Sequence, residues 1–175
     1  LGMKILYGLK NAVPNYWCER VFMPLPDMEE QMRARDIPLY ALESLDPIKD
    51  FDFIGFTLQY EMSYSNIVNM LDLAGVPLRT AERTAGDPFV CCGGPCAYHA
   101  EPLSDFVDFF ILGEGEEVNS EIMDVYKEWK NSGSTDRDDF LMSIIPLGGV
   151  YVPKFYDVEY NDDNTISRFE PNREG

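Results

Sequence analysis

The sequence predicts an α/β fold in which a mostly parallel sheet is covered by helices on both faces and followed by a β-hairpin. Three observations predict it. Apolar runs of strand length alternate with segments whose apolar residues recur at helical spacing. The connections between them are short, as in units of parallel strands and covering helices. Two of the apolar runs end directly in glycine turns, Gly93-Gly94-Pro95 and Gly113-Glu114-Gly115-Glu116.

Met3 to Ala12 carries Ile5, Leu6 and Leu9 at helical spacing and stops before Pro14. Nothing ahead of it supplies a strand or a capping turn, so the domain is expected to be truncated at its amino end. Cys18 to Met23 reads as a short strand, Asp27 to Ala34 as an acidic helix favoured by Pro26 in its first turn, and Pro38 to Leu42 as a second strand. Phe53 to Leu58 is a continuous apolar run and is expected to be the central strand, buried on both faces. Ile67, Met70, Leu71 and Ala74 mark an amphipathic helix, with Ser63 or Ser65 as N-cap and Gly75 as its stop. Strands follow at Pro88 to Cys92 and Phe109 to Leu112. Val118, Ile122, Val125, Tyr126 and Trp129 stripe a helix ending near Gly133, and Asp138 to Ile145 is helical up to Pro146. Gly149 to Tyr160 and Thr165 to Phe169, separated by Asn161 to Asn164, read as a hairpin tail leading away from the domain. The whole is a flavodoxin-like or Rossmann-like arrangement. Trp17 and Trp129 are assigned to the core.

The 175 residues are 45% hydrophobic and 26% charged, enough for one globular domain. A net charge of −17 and a pI near 4.2 oppose binding to a phosphate backbone, so no nucleic-acid partner is expected. No apolar run is long enough to span a bilayer and no signal-peptide pattern is present. Cys18, Cys91, Cys92 and Cys96 lack the spacing of a disulfide framework and are expected to be free thiols in the cytoplasm.

In an open parallel sheet, ligands bind beyond the carboxyl ends of the strands. Three loops fall there: Thr57-Leu58-Gln59-Tyr60-Glu61, Gly93-Gly94-Pro95-Cys96 and Gly113-Glu114-Gly115-Glu116. Their glycines permit close backbone approach to a ligand, or serve simply as tight turns. Tyr60, Tyr64 and Tyr98 offer aromatic faces to a flat cofactor, or wall an interface. Cys92-x3-Cys96-x2-His99, with Cys91, has the residue types of a zinc or iron-sulfur site, but adjacent cysteines on a strand point to opposite faces. Buried core cysteine is the simpler reading. Glu114, Glu116 and Glu117 would repel a pyrophosphate and suit a helix amino terminus. Nothing in the sequence fixes Glu61 and Glu101 as an acid/base pair, and His99, the only histidine, reads as a loop residue.

Gly93-Gly94-Pro95, Glu101-Pro102-Leu103, Asp108 and Gly113-Glu114-Gly115-Glu116 stand in an order and spacing that resemble the amino-terminal cobalamin-binding-like domain of radical S-adenosylmethionine (SAM) proteins. Phe56 to Glu61, with Asn69 to Gly75, resembles one uncharacterised subfamily of them. The resemblance covers nearly the whole chain. It implies that Thr57, Leu58, Gln59, Tyr60, Gly93, Gly94, Pro95, Gly113, Glu114 and Gly115 approach a cobalamin. It also implies that residues 1–146 form the cofactor-type domain and 147–175 a hairpin linker. That linker would lead toward a radical SAM domain carrying a 4Fe-4S cluster and S-adenosylmethionine in the same parent chain. The DxHxxG histidine that replaces the lower axial ligand in such domains is absent, as is the CxxxCxxC cluster motif. The chain is therefore expected to be non-catalytic alone. Its rivals are a degenerate docking or lid module without corrinoid, and a Cys/His metal site between Cys91 and His99.

Overall fold

The computed structural model describes residues 2–173. Its centre is a four-stranded sheet of β1 (Phe53–Thr57), β2 (Phe89–Gly93), β3 (Phe109–Ile111) and β4 (Val150–Tyr151), in the order β1-β2-β3-β4. The first three strands are parallel, and β4 joins β3 antiparallel. Five helices surround it: α1 (Gly2–Asn11), α2 (Pro26–Ala34), α3 (Tyr64–Ala74), α4 (Gly115–Ser132) and α5 (Arg137–Ile144). A two-stranded antiparallel ribbon, β5 (Tyr156–Tyr160) with β6 (Ile166–Pro171), closes the chain. The flavodoxin-like α/β class with a terminal hairpin is thus the observed one, and no described helix is long and apolar enough to cross a membrane.

Alternation along each strand divides the core in two. Ile54, Val90, Cys92 and Phe110 meet Met32 of α2 and Ile67, Met70, Leu71 and Ala74 of α3 on one face. Phe89, Phe109 and Ile111 meet Ile122 of α4 and Phe140, Leu141 and Ile144 of α5 on the other. The second layer is aromatic: Phe140 lies 4.5 Å from Phe89 and 5.9 Å from Trp129, measured between ring centroids. Local signals end the helices where expected. Gly75 (φ 71°) and Gly133 (φ 78°) adopt the left-handed conformation that stops α3 and α4. The Asp136 carboxylate accepts the Asp138 N–H at 2.9 Å to cap α5. Ser63 occupies the N-cap position of α3, but its hydroxyl donates to the Tyr60 carbonyl instead of capping the helix.

Five expectations need correction. Cys18 to Met23 is not a strand: it has no ladder partner and is held by loop contacts such as the Leu42 N–H donating to the Arg20 carbonyl. Pro38 to Leu42 contributes only an isolated bridge between Tyr40 and Pro47. Phe53 to Leu58 supplies an edge strand of the described sheet, because β1 pairs with β2 alone. Trp17 is 74% exposed, held by its indole N–H on Glu19, whereas Trp129 does pack in the second core. The tail does not leave the domain at Gly149: Val150 and Tyr151 extend the sheet, and Val152 and Phe155 are buried against the second core.

The buried Arg83 and Asp108 and the half-buried Arg137 form a charged cluster inside this frame. The Asp108 carboxylate accepts from Arg83 (2.7 Å), from Arg137 (3.1 Å) and from the Val90 backbone N–H (2.8 Å). Arg83 also donates to the carbonyls of Pro77, Leu78 and Phe106, and Arg137 to those of Thr84, Asp87 and Pro88 while stacking on Phe89. The cluster ties two loops, the start of β3 and the start of α5 into one unit.

Candidate functional site

Because β1, β2 and β3 are parallel neighbours, the loops that leave their carboxyl ends emerge on one rim. The loop after β1 and the diglycine loop are sewn together by backbone bonds. The Leu58 N–H donates to the Gly93 carbonyl at 2.7 Å, and the Leu58 carbonyl accepts from Cys96 N–H at 3.1 Å. Gly94 has φ 98°, and a Cβ there would lie 2.9 Å from the Leu58 carbonyl oxygen and 3.2 Å from Thr57 Oγ1. That glycine is required by an internal contact, the approach of one loop to the next. Gln59 Nε2 donates to Thr57 Oγ1 at 2.7 Å, which ties the two side chains together. The Leu58 side chain is fully buried in the first core. Gly113, at φ 107°, faces open space, and Glu114 stands at the N-cap of α4, with Glu116 and Glu117 in its first turn where the helix dipole favours negative charge.

Above this layer the rim is open. His99 Nδ1 lies 2.9 Å from Glu61 Oε1, and both side chains are more than half exposed. The hydrogen bond with His99 holds the Glu61 carboxyl below its ordinary range. Beneath the pair, the Tyr64 hydroxyl lies 3.1 Å from the Cys96 carbonyl and 3.0 Å from that of His99, which braces the short turn Pro95–Tyr98. Tyr60 (57% exposed), Met62 (79%) and Tyr98 (66%) flank the pair in sequence and face solvent. Three large exposed side chains thus stand next in sequence to an imidazole–carboxylate pair, and we call this stretch of the rim the shelf.

The cysteines separate. Cys92 packs in the first core and Cys91 against the second, as alternation on β2 demands. Burial pushes the Cys91 thiol up to about 12, although the residue keeps some surface, and raises Cys92 well above its ordinary value. Burial, then the Glu61 charge, also raises Cys96. Among the described residues, no three His, Cys, Asp or Glu side chains converge as a metal site. Glu101 does not share Glu61's partner and instead accepts from the Tyr151 hydroxyl, whose own pKa is pushed up by burial and by that carboxylate.

Sequence reasoning missed the position of the clefts. A cleft of about 700 Å³, lined in part by Arg83, Asp108, Arg137, Lys154 and Tyr156, lies where β3 and α5 begin. A second, of about 450 Å³, borders Asp52, Asp87, Phe89 and Lys130. Both sit at the amino-terminal rim of the parallel strands, away from the glycine loops. Their linings come from positions far apart in sequence, with no local motif to announce them.

The molecule is a mostly parallel α/β domain with glycine loops at the carboxyl rim of its strands. The chain matches the family model described as "Radical SAM proteins, N-terminal" over residues 2–153, and it belongs to that family. It is 34% identical over 85 residues to "Uncharacterized protein MJ0966" of Methanocaldococcus jannaschii; the match spans 48% of this chain and 18% of that protein. No solved structure matches.

Proposed function

We propose that this chain is a non-catalytic accessory domain that docks through its carboxyl-rim shelf on the radical SAM domain of the same parent protein, as a lid. In that parent, a cytoplasmic protein, the partner domain carries the 4Fe-4S cluster and S-adenosylmethionine, and the hairpin that follows Phe155 forms the link toward it. The observation that supports docking most is the exposure of Tyr60, Met62 and Tyr98 together on one rim. Scattered exposed apolar residues are ordinary, but a cluster of large ones rimmed by polar groups marks an interaction surface.

Cobalamin is the alternative occupant of the same rim, where Thr57, Leu58, Gln59, Tyr60, Gly93, Gly94, Pro95, Gly113, Glu114 and Gly115 would meet it. The open space beside Gly113 favours it. The diglycine loop does not fit it: the space at Gly94 is filled by the Leu58 backbone, whose N–H and carbonyl are already paired with Gly93 and Cys96.

The test is the triple variant Tyr60→Ser, Met62→Ser, Tyr98→Ser. The 175-residue chain should nearly keep its melting temperature, since all three side chains are more than half exposed in it. The intact parent should become more readily cleaved by protease after Phe155, within the hairpin link. Unchanged cleavage refutes docking, and retention of a red corrinoid by the parent after gel filtration favours the cobalamin reading.

A further inference from the structure

The outer edge of β1 is an unfinished ladder. Asp52 accepts from Phe89 N–H and Leu58 donates to Gly93, so the even-numbered residues between them face β2. In a parallel pair the bonding residues alternate, which turns the N–H and C=O groups of Phe53, Gly55 and Thr57 toward the opposite side. No described strand lies there. Gly55 is exposed in the middle of the strand, and the nearest atom to a Cβ built on it is Cys91 Sγ at 3.6 Å, across the sheet.

The helix that packs on α4 shows a second unfilled face. α1 leans on α4, with Lys10 Nζ donating to Ser120 Oγ at 2.9 Å and the Tyr16 hydroxyl to Asp124 Oδ1 at 2.6 Å. Its buried residue is Lys10, and burial lowers that ammonium's pKa. Leu6 is half-buried, but three of the helix's apolar residues are exposed: Met3, Ile5 and Leu9 are 39%, 40% and 44% exposed, and Val13 just beyond is 37%. An amphipathic helix normally turns this stripe toward a sheet. On the other face, Val21 and Met23 of the extended segment 18–23 pack on the first core, yet that segment has no ladder partner either.

We propose that the β1 edge receives a further β-strand, apolar on both faces, contributed by the parent polypeptide. The occupant is set by chemistry: unpaired backbone groups in a row accept a strand and not a helix, and helices on both sides of the sheet require apolar side chains on both faces of it. The curated relative extends far beyond the matched region, so such a parent has chain to supply. The strand covers the apolar stripe of α1 and makes β1 an interior strand.

Hydrogen exchange of the 175-residue chain and of the intact parent tests this. The amides of Phe53, Gly55 and Thr57 should exchange on the order of 100-fold more slowly in the parent, while Ile54 and Phe56, bonded to β2, are protected in both. The double variant Ile5→Ser, Leu9→Ser should lower the melting temperature of the parent and leave that of the 175-residue chain unchanged. Equal exchange of the three amides in both proteins overturns the proposal. So does protection in the 175-residue chain that rises with its concentration, which assigns the edge to a second copy. Neither readout involves the shelf, so docking at the rim stands or falls separately.

Discussion

Replacing Asp108 by Asn should be the most damaging single change of charge in the chain. Its carboxylate is 3% exposed, and its partners Arg83 and Arg137 are 0% and 10% exposed. The substitution leaves two desolvated guanidinium groups without their counter-charge and takes one acceptor oxygen from the Arg83, Arg137 and Val90 donors. Burial already pulls the Arg83 guanidinium down, and Asp108 is the main force opposing that. Breaking a buried pair by removing one partner costs about 3–5 kcal/mol. The carbonyls that still hold Arg83 and Arg137 place this case toward the lower end of that range. For a domain of this size the loss corresponds to a fall in Tm of roughly 10 °C. The comparison is Asp105→Asn, which breaks the exposed pair with Arg79 (56% and 64% exposed) and should cost under about 1 kcal/mol. Urea and thermal unfolding monitored by circular dichroism measure both. A loss at Asp108 no larger than at Asp105 refutes the reasoning, because burial would then not govern the strength of the pair.

Further outcomes follow from other contacts. Gly94→Ala should destabilise the chain by more than about 1 kcal/mol, since it adds a positive-φ penalty to a 2.9 Å clash with the Leu58 carbonyl; Gly8→Ala, in open space on α1, should be neutral or stabilise by up to about 1 kcal/mol in the same unfolding assay. Cys91 and Cys92 should remain unlabelled by iodoacetamide at pH 8 under native conditions and react after unfolding, as read by mass spectrometry. Asp138 gives a pH dependence: burial pushes its carboxyl up, but hydrogen bonds from Lys154 (2.5 Å) and Arg173 (2.7 Å) more than reverse this and leave it below the ordinary range. A depressed folded value means the charged form stabilises the fold above the unfolded value of about 3.9 and ceases to do so as pH falls through the folded value. Asp138→Asn should therefore melt below the wild type at pH 7, and the two should converge near the acid end of the titration.

Helices were legible because their signals are local. The 3.6-residue stripe of Ile67, Met70, Leu71 and Ala74, the stops at Gly75 and Gly133 and the cap before α5 depend on nothing distant. Strands were less so. Cys18 to Met23 and Phe53 to Leu58 have strand-like composition, but whether a segment pairs, and on how many sides, is decided by neighbours remote in sequence. The apolar run of β1 correctly reported helices above and below it and carried no information about its lateral edge. Of the rim, the need for glycine at position 94 was readable, but its cause, the Leu58 backbone, was not. The Glu61–His99 pair joins residues 38 apart and left no signal in either segment. Asp108 stood out only through the family resemblance, and its partners Arg83 and Arg137, 25 and 29 residues away, carried no local signal of the cluster.

Hydroxyl-radical footprinting of Met62 and Tyr98 tests the docked shelf most directly. Both side chains are open to solvent in the 175-residue chain and should be oxidised rapidly there. In the intact parent the account predicts strong protection of both, with Trp17 on another surface labelled equally in the two proteins. Equal oxidation of Met62 and Tyr98 in the chain and the parent would contradict it.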